Sequence, residues 1–165
     1  MASLEFSGVS HTYTGVGRAV RALDSLGLAV DDGEPVAVIG PSGCGKSTML
    51  LLAAGMLTPT AGEVRVAGAR LEGPRLKTAL ILQEYGLLPW KTALHNAALG
   101  LEIRGLPRAE VRERALASLA RVGLAEFADS YPGELSGGMR QRVGLARALA
   151  LDADLLLMDE PLSAL

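Results

Sequence analysis

The stretch GPSGCGKST at 40–48 fits the pattern G-x-x-x-x-G-K-[ST] in full, and it follows an apolar run and opens a helical one, the setting a phosphate-cradling loop requires. Gly40, Gly43 and Gly45 let the backbone curl so that successive N–H groups face phosphate oxygens. Pro41, Ser42, Cys44 and Thr48 complete the loop. Lys46 is placed to reach β- and γ-phosphates, and the Ser47 hydroxyl to coordinate Mg²⁺. A second chemical feature ends the run DLLLMDE at 154–160. Carboxylates at the end of an apolar strand are costly unless they meet a cation or metal, so Asp159 is read as a Mg²⁺ ligand and Glu160 as the group that polarises a water for attack on the γ-phosphate.

The third feature is ELSGGMRQRVGLARALA at 134–150. Glycine costs a helix interior roughly 1 kcal/mol relative to alanine, so Gly137 and Gly138 are not chosen for propensity. Ser136 reads as an N-cap whose hydroxyl accepts from an N–H two or three residues on. The glycines then leave the first-turn donors uncovered, which makes either an anion site or an ordinary capped surface helix.

These residues need elements to hold them. Residues 3–30 alternate loosely as two antiparallel strands, with GVG at 15–17 as their turn and DDG at 31–33 ending the second. PVAVIG at 35–40 is a continuous apolar run, as in a strand buried on both faces. A helix is expected at about 45–54, then strands EVRVAG (63–68) and TALILQ (78–83). Between about 86 and 134 helical signals take over. Pro107 stands at a first helical position, Gly123 at a C′ position, and Val111, Ala115, Leu119 and Val122 recur at helical spacing between them. TALHNAALGLEIR (92–104), closed by Gly105, reads as the partner helix. DLLLMDE resumes the sheet, with Asp159 and Glu160 at the carboxyl end of its strand, where open α/β sheets collect ligands.

Composition narrows the classes. The 165 residues are 49% hydrophobic and 21% charged, a globular balance. A net charge of −2 gives no footprint for a nucleic-acid backbone, so no nucleic-acid partner is expected. No apolar stretch approaches the ~20 residues of a spanning helix, and the N-terminus lacks a secretory pattern, which points to the cytosol. One cysteine, Cys44, and two separated histidines, His11 and His95, offer neither a disulfide nor a Cys-rich metal site. Cys44 is a small filler of the loop or a thiol whose alkylation blocks nucleotide entry.

GPSGCGKST, Gln83, LSGGM and LLLMDE occur in the order and rough spacing of an ATP-binding-cassette (ABC) ATPase, and the chain resembles that family over nearly its whole length. LSGGM discriminates, because phosphate loops occur in many enzymes and this signature in far fewer. The resemblance implies an α/β fold of the P-loop ABC-ATPase type: a mainly parallel sheet with an antiparallel N-terminal part, and an inserted helical subdomain. The ATP-binding core would comprise 1–85 and 135–165, and the helical subdomain 86–134. It also implies ATP and Mg²⁺, and a head-to-tail pair in which Ser136, Gly137 and Gly138 close over nucleotide held by Gly43, Gly45, Lys46, Ser47 and Thr48 of the other copy. Met139 stands where the family most often has Gln.

Two further positions follow from the same resemblance. Tyr13 matches an aromatic that stacks on adenine, the alternative being a plain strand tyrosine. Gln83 matches a glutamine that touches Mg²⁺ or the attacking water, the alternative being a solvent-facing strand end. QEYGLLPWKTALHNAALGLEIRG (83–105) is similar to the segment found in importers of nitrate, sulfonates and taurine, with Trp90 where a membrane permease subunit would dock, unless it packs within the insertion. Such a subunit works with a second ATP-binding subunit, indirectly with a solute-binding protein, at the cytoplasmic face of the membrane. A soluble ABC ATPase and a non-catalytic nucleotide-binding chain are the alternatives. The family carries an Asp directly after LSAL (162–165) and a later His on the γ-phosphate. Neither is in these 165 residues, so the sequence reads as cut within a domain.

Overall fold

A glycine-centred bulge sets the parity of the first strand. In β1 (Ala2–Gly15) Leu4 and Phe6 alternate inward, the register slips between Phe6 and Val9, and Val9 and His11 resume the same buried face. Gly8, at φ +59°, supplies the extra residue that keeps the apolar set on one side. The computed structural model describes residues 2–15, 18–83 and 85–160. The middle and end of the expected GVG turn, residues 16 and 17, and the LSAL segment lie outside them.

The chain forms two compact units, Met1–Arg75 and Leu76–Leu165. In the first, β1 pairs antiparallel with β2 (Arg18–Asp31) and with β3 (Ala61–Val66), and β3 with the short β4 (Ala69–Arg70), in the order β2-β1-β3-β4. Val64 and Val66 of β3 join Leu4, Phe6 and Val9 in the core. Helix α1 (Lys46–Ala53) packs on β2 and β3 through a buried face of Met49, Leu52 and Ala53.

The run at 35–40 departs from expectation. Residues 34–41 form no strand, and Ile39 is 94% exposed with Val36 and Val38 also in solvent. A strand buried on both faces needs a place in a sheet that is covered on both sides. The sheet of this unit is antiparallel, and among its described residues no strand pairs with the run. Its apolar composition specifies what it can bury, not what it finds to bury against.

In the second unit β5 (Thr78–Ile81) and β6 (Leu155–Met158) pair in parallel, Thr78 opposite Leu155 and Ile81 opposite Met158. β6 is a continuous apolar run in sequence, yet its burial alternates. Leu155 and Leu157 are buried while Leu156 and Met158 are exposed, because only one face of the two-stranded sheet is covered. Between the strands lie α2 (Ala93–Ile103), α3 (Arg108–Arg121) and α4 (Gly137–Ala150). Leu94, Leu101, Ala115, Leu119, Val143 and Ala146 are at the centre of their shared core. Ala148 of α4 meets Ala79 and Ile81 of β5.

The helix punctuation matches the sequence to within one residue. Thr92 caps α2, Gly105 follows it at φ +74°, Pro107 is the N-cap of α3 rather than its first turn, and Gly123 follows at φ +72°. The carbonyls ending α4 are met by arginines of the neighbouring helices. Arg114 donates to the Ala150 oxygen at 3.0 Å and Arg104 to the Leu151 oxygen at 2.5 Å, which satisfies orphan acceptors and places positive charge at the negative helix end.

Asn96 is fully buried on α2. Its amide nitrogen donates to the carbonyls of Leu88, Lys91 and Thr92, and its Oδ1 accepts from the Leu88 N–H at 2.8 Å. Asn96→Leu strips these partners, and the unmade bonds are expected to lower stability by roughly 1–3 kcal/mol, read as a lower denaturant midpoint. An unchanged midpoint would mean that water replaces the amide there.

Candidate functional site

In the first unit the loop at 40–48 is shaped by two left-handed glycines, Gly43 at φ +79° and Gly45 at φ +101°. Gly45 is also the N-cap of α1, and a Cβ there would lie 2.6 Å from the Ala22 carbonyl oxygen. Gly45→Ala therefore meets both strain and a backbone clash and is expected to cost about 1–3 kcal/mol, seen as a drop in Tm. An unaltered Tm would show that the loop relaxes freely.

The loop spends few of its donors on itself. Cys44 N–H reaches the Pro41 oxygen at 3.3 Å and Met49 N–H the Gly45 oxygen at 2.9 Å, whereas the N–H groups of Gly43, Gly45, Lys46, Ser47 and Thr48 have no acceptor among the described residues. Lys46 Nζ folds onto the loop's own carbonyls, donating to Gly40 and Pro41 at 2.9 Å each. The result is a concentration of donors and one ammonium that an oxyanion can recruit. Cys44 is exposed.

Tyr13 is 42% exposed, and its hydroxyl lies 3.2 Å from Thr48 Oγ1. The edge of His11 packs against its ring at 4.7 Å between centroids, and His11 Nδ1–H donates to the Thr58 carbonyl at 3.0 Å. The ring is thus fixed from β1 and from the helix that the loop opens.

In the second unit the carboxyl ends of the parallel strands bring two expected residues together. Gln83 Nε2 donates to Glu160 Oε2 at 3.0 Å. Asp159 N–H bonds the Ile81 oxygen at 2.9 Å and so prolongs the pairing of β6 with β5 by one residue.

The start of α4 is as the sequence suggests. Ser136 Oγ accepts from Met139 N–H at 3.2 Å. Neither glycine behind it has a local reason to be glycine. Both have ordinary negative φ, a Cβ on Gly138 would meet nothing within 4 Å, and one on Gly137 only Arg140 Nη2 at 3.9 Å. Side chains would fit and would favour the helix.

Sequence reasoning did not single out Asn96 and Arg147. Arg147, on α4, donates to the carbonyls of Asn96 and Gly86 and to Asn96 Oδ1 at 2.9–3.1 Å. Burial lowers the pKa of its guanidinium from the ordinary value. A polar residue within the apolar face of ALHNAALGL and an arginine inside the buried pattern of α4 were the available signals. Trp90 is 71% exposed, not packed within the helices.

A family model described as ABC transporter matches residues 23–163. The chain is 52% identical to the taurine import ATP-binding protein TauB of Chromobacterium violaceum, over all of this chain and 62% of that one. It is 48% identical to TauB of Pseudomonas aeruginosa, over all of this chain and 63% of that one. It thus spans less than two thirds of the length of these relatives. Among solved structures, it superposes on a dimeric, post-hydrolysis state of an ATP-binding cassette bound to ADP and Pi with a TM-score of 0.90 at 35% identity, covering 98% of this chain and 75% of that one.

Proposed function

The chain belongs to the ABC transporter family, and from that membership we propose that it is the ATP-binding and hydrolysing part of a subunit that energises import of a sulfonate-like solute such as taurine. The observation that carries the proposal is the loop at 40–48, whose glycine-set curl leaves five N–H groups and Lys46 to a polyphosphate. Lys46 exchanges the carbonyls of Gly40 and Pro41 for β- and γ-phosphate oxygens. Ser47, Asp159 and Gln83 would hold Mg²⁺, and the ion, when bound, would neutralise charge on the transferred phosphoryl group. Glu160 accepts the proton of the attacking water, and Gln83, already bonded to it, orients that water.

Residues 1–85 and 135–165 make the ATP-binding core and 86–134 the helical subdomain. Ser136, Gly137 and Gly138 serve the nucleotide of a second copy, which accounts for glycines that the helix itself does not want. ATP then acts as differential binding energy for the closed pair. A membrane permease subunit docks at the exposed Trp90, an aromatic type favoured at interface hot spots. The subunit is peripheral, on the cytoplasmic face, and meets a solute-binding protein only through the permease. No helix among the described residues is long and apolar enough to cross a membrane.

The test is taurine uptake in cells whose own import ATP-binding subunit is replaced by the full-length protein. Uptake that requires ATP and is lost in Lys46→Ala is expected, and uptake indifferent to Lys46 would overturn the proposal. Stacking on adenine gives a separate expectation. Tyr13→Ala weakens ATP binding by roughly tenfold, the scale of one base–aromatic stack, while Tyr13→Phe holds within a few-fold. Equal affinities for all three would remove Tyr13 from the site.

A further inference from the structure

Arg147 joins two features that lie far apart in sequence. From the last turn of α4 its guanidinium donates to the Gly86 carbonyl at 2.9 Å, the Asn96 carbonyl at 3.0 Å and Asn96 Oδ1 at 3.1 Å. Asn96 in turn holds Leu88 by both its N–H and its carbonyl, and Lys91 and Thr92 by theirs. The segment 86–92, with Trp90 at its exposed turn, is therefore tied by one buried amide and one half-buried guanidinium, beside the packing of Leu87 on the helical core and the Lys91–Glu102 ion pair at 3.2 Å. Gly144, one turn before Arg147 on α4, brings the helix against the start of the same segment, since a Cβ there would lie 3.4 Å from Tyr85 Cβ.

The chemistry of the link makes it stiff. A planar guanidinium offers donors in a fixed fork, so it fixes distance and angle together. Among the described residues no carboxylate pairs with it. Pulling segment 86–92 away from α4 would break the charge-assisted bond from Arg147 to the Gly86 carbonyl, at a cost above that of a neutral bond.

We propose that Arg147 is a positioning residue that makes segment 86–92 and helix α4 move as one body, so that a displacement imposed at Trp90 is delivered to Ser136, Gly137 and Gly138 at the start of α4. This rests on the proposed function in taking Trp90 to face the permease and the glycines to face a nucleotide. Asn96 is the second half of the device, because it transmits the hold of Arg147 on α2 to the backbone on both sides of Trp90.

Arg114 supplies the control. It too anchors α4, through the Ala150 carbonyl at 3.0 Å, but it touches nothing in 86–92. The experiment uses the full-length protein assembled with its permease subunits and compares Arg147→Met and Arg114→Met. The first readout is the ratio of permease-stimulated to basal ATP turnover. The second is the fluorescence anisotropy of Trp90, the single tryptophan of these 165 residues, with any tryptophan elsewhere in the complex changed to Phe.

Arg147→Met is expected to lower the stimulation ratio by about fivefold or more, the scale of a coupling between sites, with basal turnover and KM for ATP held within a few-fold, and to lower the Trp90 anisotropy. Arg114→Met lowers Tm but changes neither readout. Equal effects of the two variants, or an unchanged ratio in a folded Arg147→Met protein, would overturn the proposal. Should Arg147→Met not accumulate, Arg147→Lys keeps the charge but loses the fork. It is then expected to lower the ratio partway, and an unchanged ratio overturns the proposal. A wild-type complex without ATP turnover contradicts the proposed function instead. In that case the anisotropy decides the mechanical link alone: a fall confined to Arg147→Met supports it, and its absence overturns it.

Discussion

Glu160→Gln in the full-length protein is expected to slow ATP hydrolysis by about 10²–10⁴-fold, the range for removing a positioned general base, while ATP stays bound. The geometry separates the two effects. The substituted amide keeps the size of the carboxyl and can still accept from Gln83 Nε2, now 3.0 Å from Glu160 Oε2, so the carboxyl end of β6 is undisturbed. What goes is the group able to take a proton from water. The donors proposed to hold the phosphates belong to the loop at 40–48. Single-turnover phosphate release alongside retention of labelled ATP measures both halves. Hydrolysis within a few-fold of wild type would place the base on another residue.

Gly138→Asp is expected to move stability and activity in opposite directions. A carboxylate in the first turn of α4 has room, since a Cβ meets nothing within 4 Å, and it complements the positive helix end, adding about 0.3–1 kcal/mol. Tm should hold or rise. On the proposed function the same carboxylate would confront the γ-phosphate held by a second copy, and turnover is expected to fall by about 10²-fold or more, the scale of losing one charge-stabilising contact in a closed site. A glycine required for folding would do the reverse and lower Tm first. Calorimetry and turnover on one preparation distinguish the two.

Motifs that work through backbone were the most legible in the sequence. The loop glycines announce positive φ, and Gly43 and Gly45 adopt it. Ser136 announces a cap, and its Oγ makes one. Helices α2 and α3 were marked by Thr92, Gly105, Pro107 and Gly123, all acting within a turn of the chain. Less legible was whatever depends on what lies across a strand or helix. The apolar run at 35–40 and the leucines of β6 looked alike in sequence, yet residues 34–41 pair with no described strand of their unit and β6 is covered on one face. Asn96 and Arg147 escaped for the same reason. Their types are ordinary for a helix surface, and only the packing of α2 against α4 turns them into a buried pair that holds the backbone around Trp90.

The central claim is that the glycines opening α4 act on nucleotide held by another copy of the chain. Mixing full-length Lys46→Ala with full-length Gly138→Asp tests it most directly, because each homodimer lacks an intact site while a mixed dimer keeps one: the unaltered loop of one copy facing the unaltered Ser136–Gly138 of the other. The mixture is expected to recover about a quarter of wild-type ATP turnover, the statistical yield when half of the dimers each hold one working site of a symmetric pair. Turnover no higher than that of either variant alone would contradict the account and confine loop and glycines to a single copy.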